Sequence, residues 1–186
     1  QTEKNNFFWK RKINLSPQNY RIGIIGMGMI GKIFSGYANR LGFKINYYSR
    51  TKKNVSSKYN YFKDIKKLVK NSEIISIHLE LNEKTKKILS YKILNLFKNK
   101  YLINTSRGEL IDEKYLYKLL KKKQIVCAGL DVFENEPPIK NSLKIIKLNN
   151  VISTPHNAAY DEVTLNNMCI NSFLYIKNHF KNLKQI

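Results

Sequence analysis

Apolar runs of strand length alternate along the chain with segments whose apolar positions recur at helical spacing. "YRIGII" (20–25) reads as a strand, and 29–41 as a helix that Gly42 ends. "FKINYYS" (43–49) is a second, aromatic-rich strand and "YNYF" (59–62) a short third one. Asp64 then opens the helix "DIKKLVKN", in which Ile65, Leu68 and Val69 share a face. "EIISIHL" (73–79) is a strongly apolar strand, "SYKILNLF" (90–97) a helix, and "YLINT" (101–105) the next strand. Asp112 caps "DEKYLYKLLKKK", with acids at its start and lysines at its end, as the helix dipole favours. "IVCAGLDV" (125–132) and "VISTP" (151–155) are further strands, and a long helix over about 161–181 closes the pattern. Right-handed crossovers place helices on both sides of a parallel sheet, so this alternation predicts a doubly wound α/β domain. Residues 1–19 lack the pattern and read as an arm; 20–186 read as the domain.

Composition changes this picture in one respect. The 34 Lys+Arg against 13 Asp+Glu give a formal charge of +21, which in a compact patch would suggest a nucleic-acid partner. The lysines are instead spread over the whole chain among many Asn, Ile and Tyr, a mixture that compositional drift explains better, so nucleic acid is not the expected partner. No apolar run is long enough to cross a membrane and no signal-peptide pattern opens the chain. Cys127 and Cys169 form neither a disulfide framework nor a metal-ligand spacing, so the expectation is a reduced, cytoplasmic protein with no metal site. A first residue of Gln rather than Met suggests a processed or partial chain.

Candidate chemistry begins at "RIGIIGMGMIGK", where Gly26-x-Gly28-x-x-Gly31 follows a strand and opens a helix. In that setting the first glycine allows the tight turn, the second lets a pyrophosphate reach the main chain, and the third lets helix and strand pack closely. The helix N-terminus then faces the phosphates of a dinucleotide. A glycine-rich turn of some other α/β protein would share the spacing, so context matters more than pattern. About 20 residues further on, an acid would hold the ribose 2′-hydroxyl of NAD. This chain has Ser49, Arg50, Thr51, Lys52 and Lys53 there, which removes the group that repels a 2′-phosphate and supplies cations, favouring NADP(H) over NAD(H).

Three further segments, "INTSRGELID" (103–112), "AGLDVFENEPP" (128–138) and "STPHNAA" (153–159), each fall at the carboxyl end of a predicted strand. In this order after the glycines, they resemble the D-isomer-specific 2-hydroxyacid dehydrogenases over about residues 7–180. The resemblance implies a Rossmann-type NAD(P)-binding domain and hydride transfer between the dinucleotide and a small 2-oxo or D-2-hydroxy acid. It implies His156 as proton donor, Glu136 as the acid paired with it, and Arg107 as the clamp on the substrate carboxylate, roles that suit an imidazole titrating near neutrality and a guanidinium fork. Asp131 would orient the nicotinamide carboxamide. Other family cofactor contacts fall on Met29, Ile30, Ser49, Leu79, Thr105, Ser106, His156, Ala158 and Ala159. Glu134 is expected to be a solvated neighbour of Glu136, His78 structural, His179 a helix-end residue and Cys127 core.

Two departures stand out. Glu80, in "HLELNEKT", occupies a place where family members commonly carry proline. The family's substrate-binding domain, built mostly ahead of the cofactor domain, has no counterpart in this chain. The isolated chain is therefore expected to bind a dinucleotide but to reduce 2-oxo acids feebly or not at all, because an open cleft neither excludes water nor holds substrate. Family members dimerise through this domain, and Phe7, Phe8 and Trp9 in the arm are the aromatic residues a homodimer would cover. An alternative from another class is a dinucleotide-sensing interaction module of the same fold.

Overall fold

The computed structural model describes residues 16–183, so the expected arm contact at Phe7–Trp9 lies outside the described residues. Among them, seven parallel strands form one sheet in the order β3-β2-β1-β4-β5-β6-β7. The strands are β1 (Arg21–Ile25), β2 (Lys44–Tyr48), β3 (Asn60–Phe62), β4 (Ile74–Ile77), β5 (Tyr101–Asn104), β6 (Cys127–Leu130) and β7 (Val151–Ser153). The chain winds outward from β1 to β3, returns to β4 beside β1, and winds outward again. This reversal opens a crevice at the carboxyl ends of β1 and β4.

The helices are α1 (Met29–Arg40), α2 (Ile65–Lys70), α3 (Tyr91–Leu94), α4 (Glu113–Lys121), α5 (Asn141–Ile146) and α6 (Glu162–Leu183). Asp64 and Asp112 act as the N-caps the sequence suggests, accepting from the N–H groups of Lys66 (2.7 Å) and Tyr115 (3.1 Å). The 90–97 segment differs from expectation: only its first turn is α-helical, and Leu96 and Phe97 donate to carbonyls three residues back, which tightens the rest. Short α5 carries too few apolar repeats to have been read from the sequence.

Helices lie on both faces, but unequally. Leu102, Ile75, Ile77, Leu116, Leu120 and Phe97 belong to the large core under α2–α5, and burying side chains of this size is worth roughly 2 kcal/mol each. On the other face α1 covers a smaller core of Ile22, Ile24, Met27, Ala38, Ile45 and Tyr47. Beyond β4 the described helices leave that second face open: Tyr101, Ile103 and Cys127 are half-buried, and Ile152 is 69% exposed. Cys127 is therefore not core as its mid-run position suggested; it opens β6 on the uncovered side. Helix α6 leaves the domain with Met168, Phe173, Tyr175 and Phe180 exposed. Among the described residues no helix is long and apolar enough to cross a membrane.

Candidate active site

The glycine turn between β1 and α1 is shaped by contacts that exclude side chains. Gly26 has a φ of +101°, and a Cβ there would strike the carbonyl of His78 beyond β4. A Cβ on Gly31 would strike the Gly26 carbonyl, so the first turn of α1 sits directly on the end of β1. At Gly28 an added Cβ would meet nothing within 4 Å, leaving bare main chain toward solvent. The open side and the N–H groups of the α1 N-terminus, which find no partner among the described residues, fit a pyrophosphate. Met29 and Ile30 stand exposed at this rim, with Leu79 half-buried beneath it against Gly26.

His78 lies under the turn, its ring tilted against Phe34 of α1 at 4.8 Å and its Nε2 2.9 Å from Ser76 Oγ. Burial pushes its pKa down to about 4, so it is a neutral packing group. At the end of β2, Ser49 is buried and its hydroxyl donates to the Thr51 carbonyl at 2.6 Å, while Arg50, Thr51, Lys52 and Lys53 are exposed. Two tyrosines that the sequence did not single out fix this loop. Tyr47 Oη accepts from Lys53 N–H at 3.2 Å, and Tyr61 Oη donates to the Ser49 carbonyl at 3.2 Å.

A second constellation occupies the carboxyl ends of β5, β6 and β7. After β5, buried Asn104 accepts from Ser106 N–H (3.1 Å) and donates to the Arg107 carbonyl (2.9 Å), while Ser106 Oγ donates to the Ile77 carbonyl of β4 (2.7 Å). Thr105 and Arg107 are exposed, and the Arg107 guanidinium donates to the Ser106 carbonyl at 2.6 Å. It makes no hydrogen bond to Glu136 or His156, although its charge is felt at Glu136.

After β6, Asp131 is buried and organises the loop after β7. Its Oδ1 accepts from Thr154 Oγ1 and from Asn157 N–H (3.0 Å), and its Oδ2 from Ala158 N–H (3.0 Å). Burial alone would raise its pKa, but these donors and the nearby His156 charge bring it below the ordinary aspartate value. The Asp131 carbonyl also accepts from His156 N–H at 2.8 Å, holding His156 at a left-handed φ of 53°. Ala159 follows, exposed.

Glu136 and His156 meet here. Glu136 Oε2 lies 2.6 Å from His156 Nδ1, and Glu136 Oε1 accepts from Phe133 N–H at 3.0 Å. Burial pushes the Glu136 pKa up, but those two bonds and the charges of His156 and Arg107 outweigh it and leave it below the usual glutamate range. An ionised carboxylate can only accept, so Nδ1 carries the proton and Nε2 is left to exchange one with a bound molecule. The cleft behind the pair, about 400 Å³ and mostly apolar, is lined by Phe133, Pro137, Pro138, Ile146 and Pro155. Glu134 is not merely solvated: it pairs with Lys87 at 3.7 Å, and its N–H is bound by Glu113. Exposed Glu80 accepts a hydrogen bond from Thr85 Oγ1 at its carbonyl. Among the described residues no cluster of three metal-ligating side chains occurs.

Comparison with known proteins places this geometry. A family model described as "D-isomer specific 2-hydroxyacid dehydrogenase, NAD binding domain" matches residues 1–158. The chain is 37% identical over 163 residues to a glyoxylate/hydroxypyruvate reductase of Arabidopsis thaliana, covering 87% of this chain and 50% of that protein. The D-lactate dehydrogenase of Aquifex aeolicus, solved with NAD and lactic acid, superposes with a TM-score of 0.89 at 30% identity, over 98% of this chain and 60% of that one. A D-isomer specific 2-hydroxyacid dehydrogenase of Xanthobacter autotrophicus, solved with NADPH and MES, gives a TM-score of 0.74 at 29% identity, over 80% of this chain and 48% of that one. The chain thus spans about half the length of the relatives it matches.

Proposed function

The chain belongs to the D-isomer-specific 2-hydroxyacid dehydrogenase family, and on that premise we propose that it is the dinucleotide-binding and proton-transferring half of an enzyme interconverting small 2-oxo acids and D-2-hydroxy acids. The 2.6 Å Glu136–His156 pair, standing where three strands end, carries this reading. A bound nicotinamide dinucleotide supplies or accepts the hydride. His156 Nε2 gives a proton to the substrate oxygen in reduction and recovers it in oxidation. Glu136 fixes the ring orientation and stabilises the imidazolium. The remaining guanidinium donors of Arg107 grip the substrate carboxylate in a fork and polarise the adjacent carbonyl. Asp131 presents its remaining acceptor capacity to the carboxamide while fixing the His156 loop.

The cofactor we assign is NADP(H) in preference to NAD(H), because the loop after β2 offers Arg50, Lys52 and Lys53 and no acid. The substrates are those of a glyoxylate or hydroxypyruvate reductase, a class named among the relatives. A second, substrate-binding unit would close over the cleft, resting on the apolar side chains that α6 exposes, and a homodimer would cover the aromatic arm. Two free cysteines suit the cytoplasm.

Nicotinamide fluorescence tests the reading on this chain. Saturable binding of NADPH, tighter than NADH, is expected; absence of binding by both overturns it. In the longer protein, His156→Ala should abolish glyoxylate reduction while leaving dinucleotide affinity intact, and a variant that retains its activity would remove His156 from proton transfer.

A further inference from the structure

Glu113 is buried at the first position of α4. An acid at a helix start is ordinary on the surface, where the dipole favours it. Here the carboxylate is taken out of water and turned away from its own helix. Its Oε1 accepts from Glu134 N–H at 2.6 Å and its Oε2 from Ser142 Oγ, also at 2.6 Å. Asp112, one residue earlier, already caps α4, so Glu113 is not needed for that task. Burial and the charges of Glu134 and Glu109 push its pKa up, against which its two donors act.

The two bonds end on the segment that carries Glu136. Glu134 N–H belongs to the Phe133–Glu134 peptide, and this same peptide lies against Gly108, where any Cβ would collide with it. Gly108 directly follows Arg107. One residue back, Phe133 N–H donates to Glu136 Oε1, and Glu136 Oε2 holds His156 Nδ1. A buried carboxylate is therefore linked through Phe133 and its two flanking peptides to the paired acid and imidazole, while the Phe133–Glu134 peptide is also keyed to the arginine loop.

We propose that Glu113 is a positioning residue, which sets the Phe133–Glu136 segment so that Glu136 meets His156 and both are held in register with Arg107. It touches no reacting atom. The inference rests on the functional reading above for the meaning of the pair, but the pairing can be measured without turnover.

The test is proton NMR of this chain. The His156 Nδ1 proton, held in a short bond to an ionised carboxylate, should resonate far downfield, and Glu136→Gln should remove that signal. Glu113→Ala should abolish it too, with the amide shifts of the sheet unchanged. Glu113→Gln keeps an acceptor for Glu134 N–H and a donor for Ser142 Oγ, and should restore it. A resonance that survives Glu113→Ala in a folded chain, or one that Glu113→Gln fails to restore, overturns the proposal. A role in stability alone would lower the melting temperature and leave the resonance in place. Should Glu113→Ala not fold, Glu113→Gln and the native chain decide: Glu134 N–H must exchange slowly with solvent, and free exchange overturns the proposal. Failure to bind either dinucleotide would count against the functional reading instead, and the resonance does not depend on it.

Discussion

The turn between β1 and α1 and the corner at the ends of β5–β7 share one edge of the sheet but are held by different forces. The turn is made by the absence of side chains: Gly26 and Gly31 let main chain rest on main chain, and Gly28 leaves space. The corner is made by side chains: Asn104, Asp131, Thr154, Glu136 and Glu113 tie three loops together through hydrogen bonds. A backbone-built turn admits no side chain at Gly26 or Gly31, and the main-chain atoms that form it do not titrate. A side-chain-built site can be loosened bond by bond, and the charge of its members depends on their neighbours.

The largest expected effect breaks the turn. Gly26→Ala combines a left-handed residue with a collision at the His78 carbonyl and should lower the unfolding free energy by roughly 4 kcal/mol, abolishing dinucleotide binding. Denaturant unfolding and fluorescence titration measure both; a variant of native stability would mean that the turn relaxes.

Acid should weaken the same region through His78. Its folded pKa is about 4 against 6.5 for the free group, so the unfolded chain takes up the proton first and stability falls as pH drops from 6.5 towards 4. The full shift corresponds to about 3 kcal/mol. His78→Phe should lose this share of the acid sensitivity, and identical pH profiles for the variant and the native chain would refute the assignment.

At the corner, Asp131→Asn places an amide group against Ala158 N–H, where two donors face each other. A penalty of about 2 kcal/mol is expected, with faster amide exchange at Asn157 and Ala158 and an unaltered glycine turn. Disturbance of β1–α1 amides by this change would show that the two regions are not independently held. The smallest effect concerns the loop after β2. Arg50→Asp should reduce the preference for NADPH over NADH by about tenfold, roughly 1.4 kcal/mol, without a change in stability.

Much of the scaffold is legible in the sequence. All seven strands lie within the apolar runs, and Asp64 and Asp112 start their helices, because strand alternation, helical spacing and capping are written over a few neighbouring residues. Short α5 and the early end of α3 were missed because segments of four to six residues carry too few repeats to show a period. The partner of Glu134, Lys87, was not foreseen because it lies far away in sequence, and Cys127 was misread because the pattern does not reveal which stretch of sheet the described helices leave uncovered.

The sequence by itself determined the β-α alternation, the glycine spacing and the types of residue that follow each strand. The family resemblance anticipated the pair of Glu136 with His156; only the tertiary structure decided the other partners: Asp131 with the loop after β7, Glu113 with Glu134 and Ser142, and His78 with Phe34. The reason is physical. Local propensity acts through near neighbours, whereas these bonds and the pKa shifts that accompany them exist only after parallel packing brings distant segments together and shields them from water.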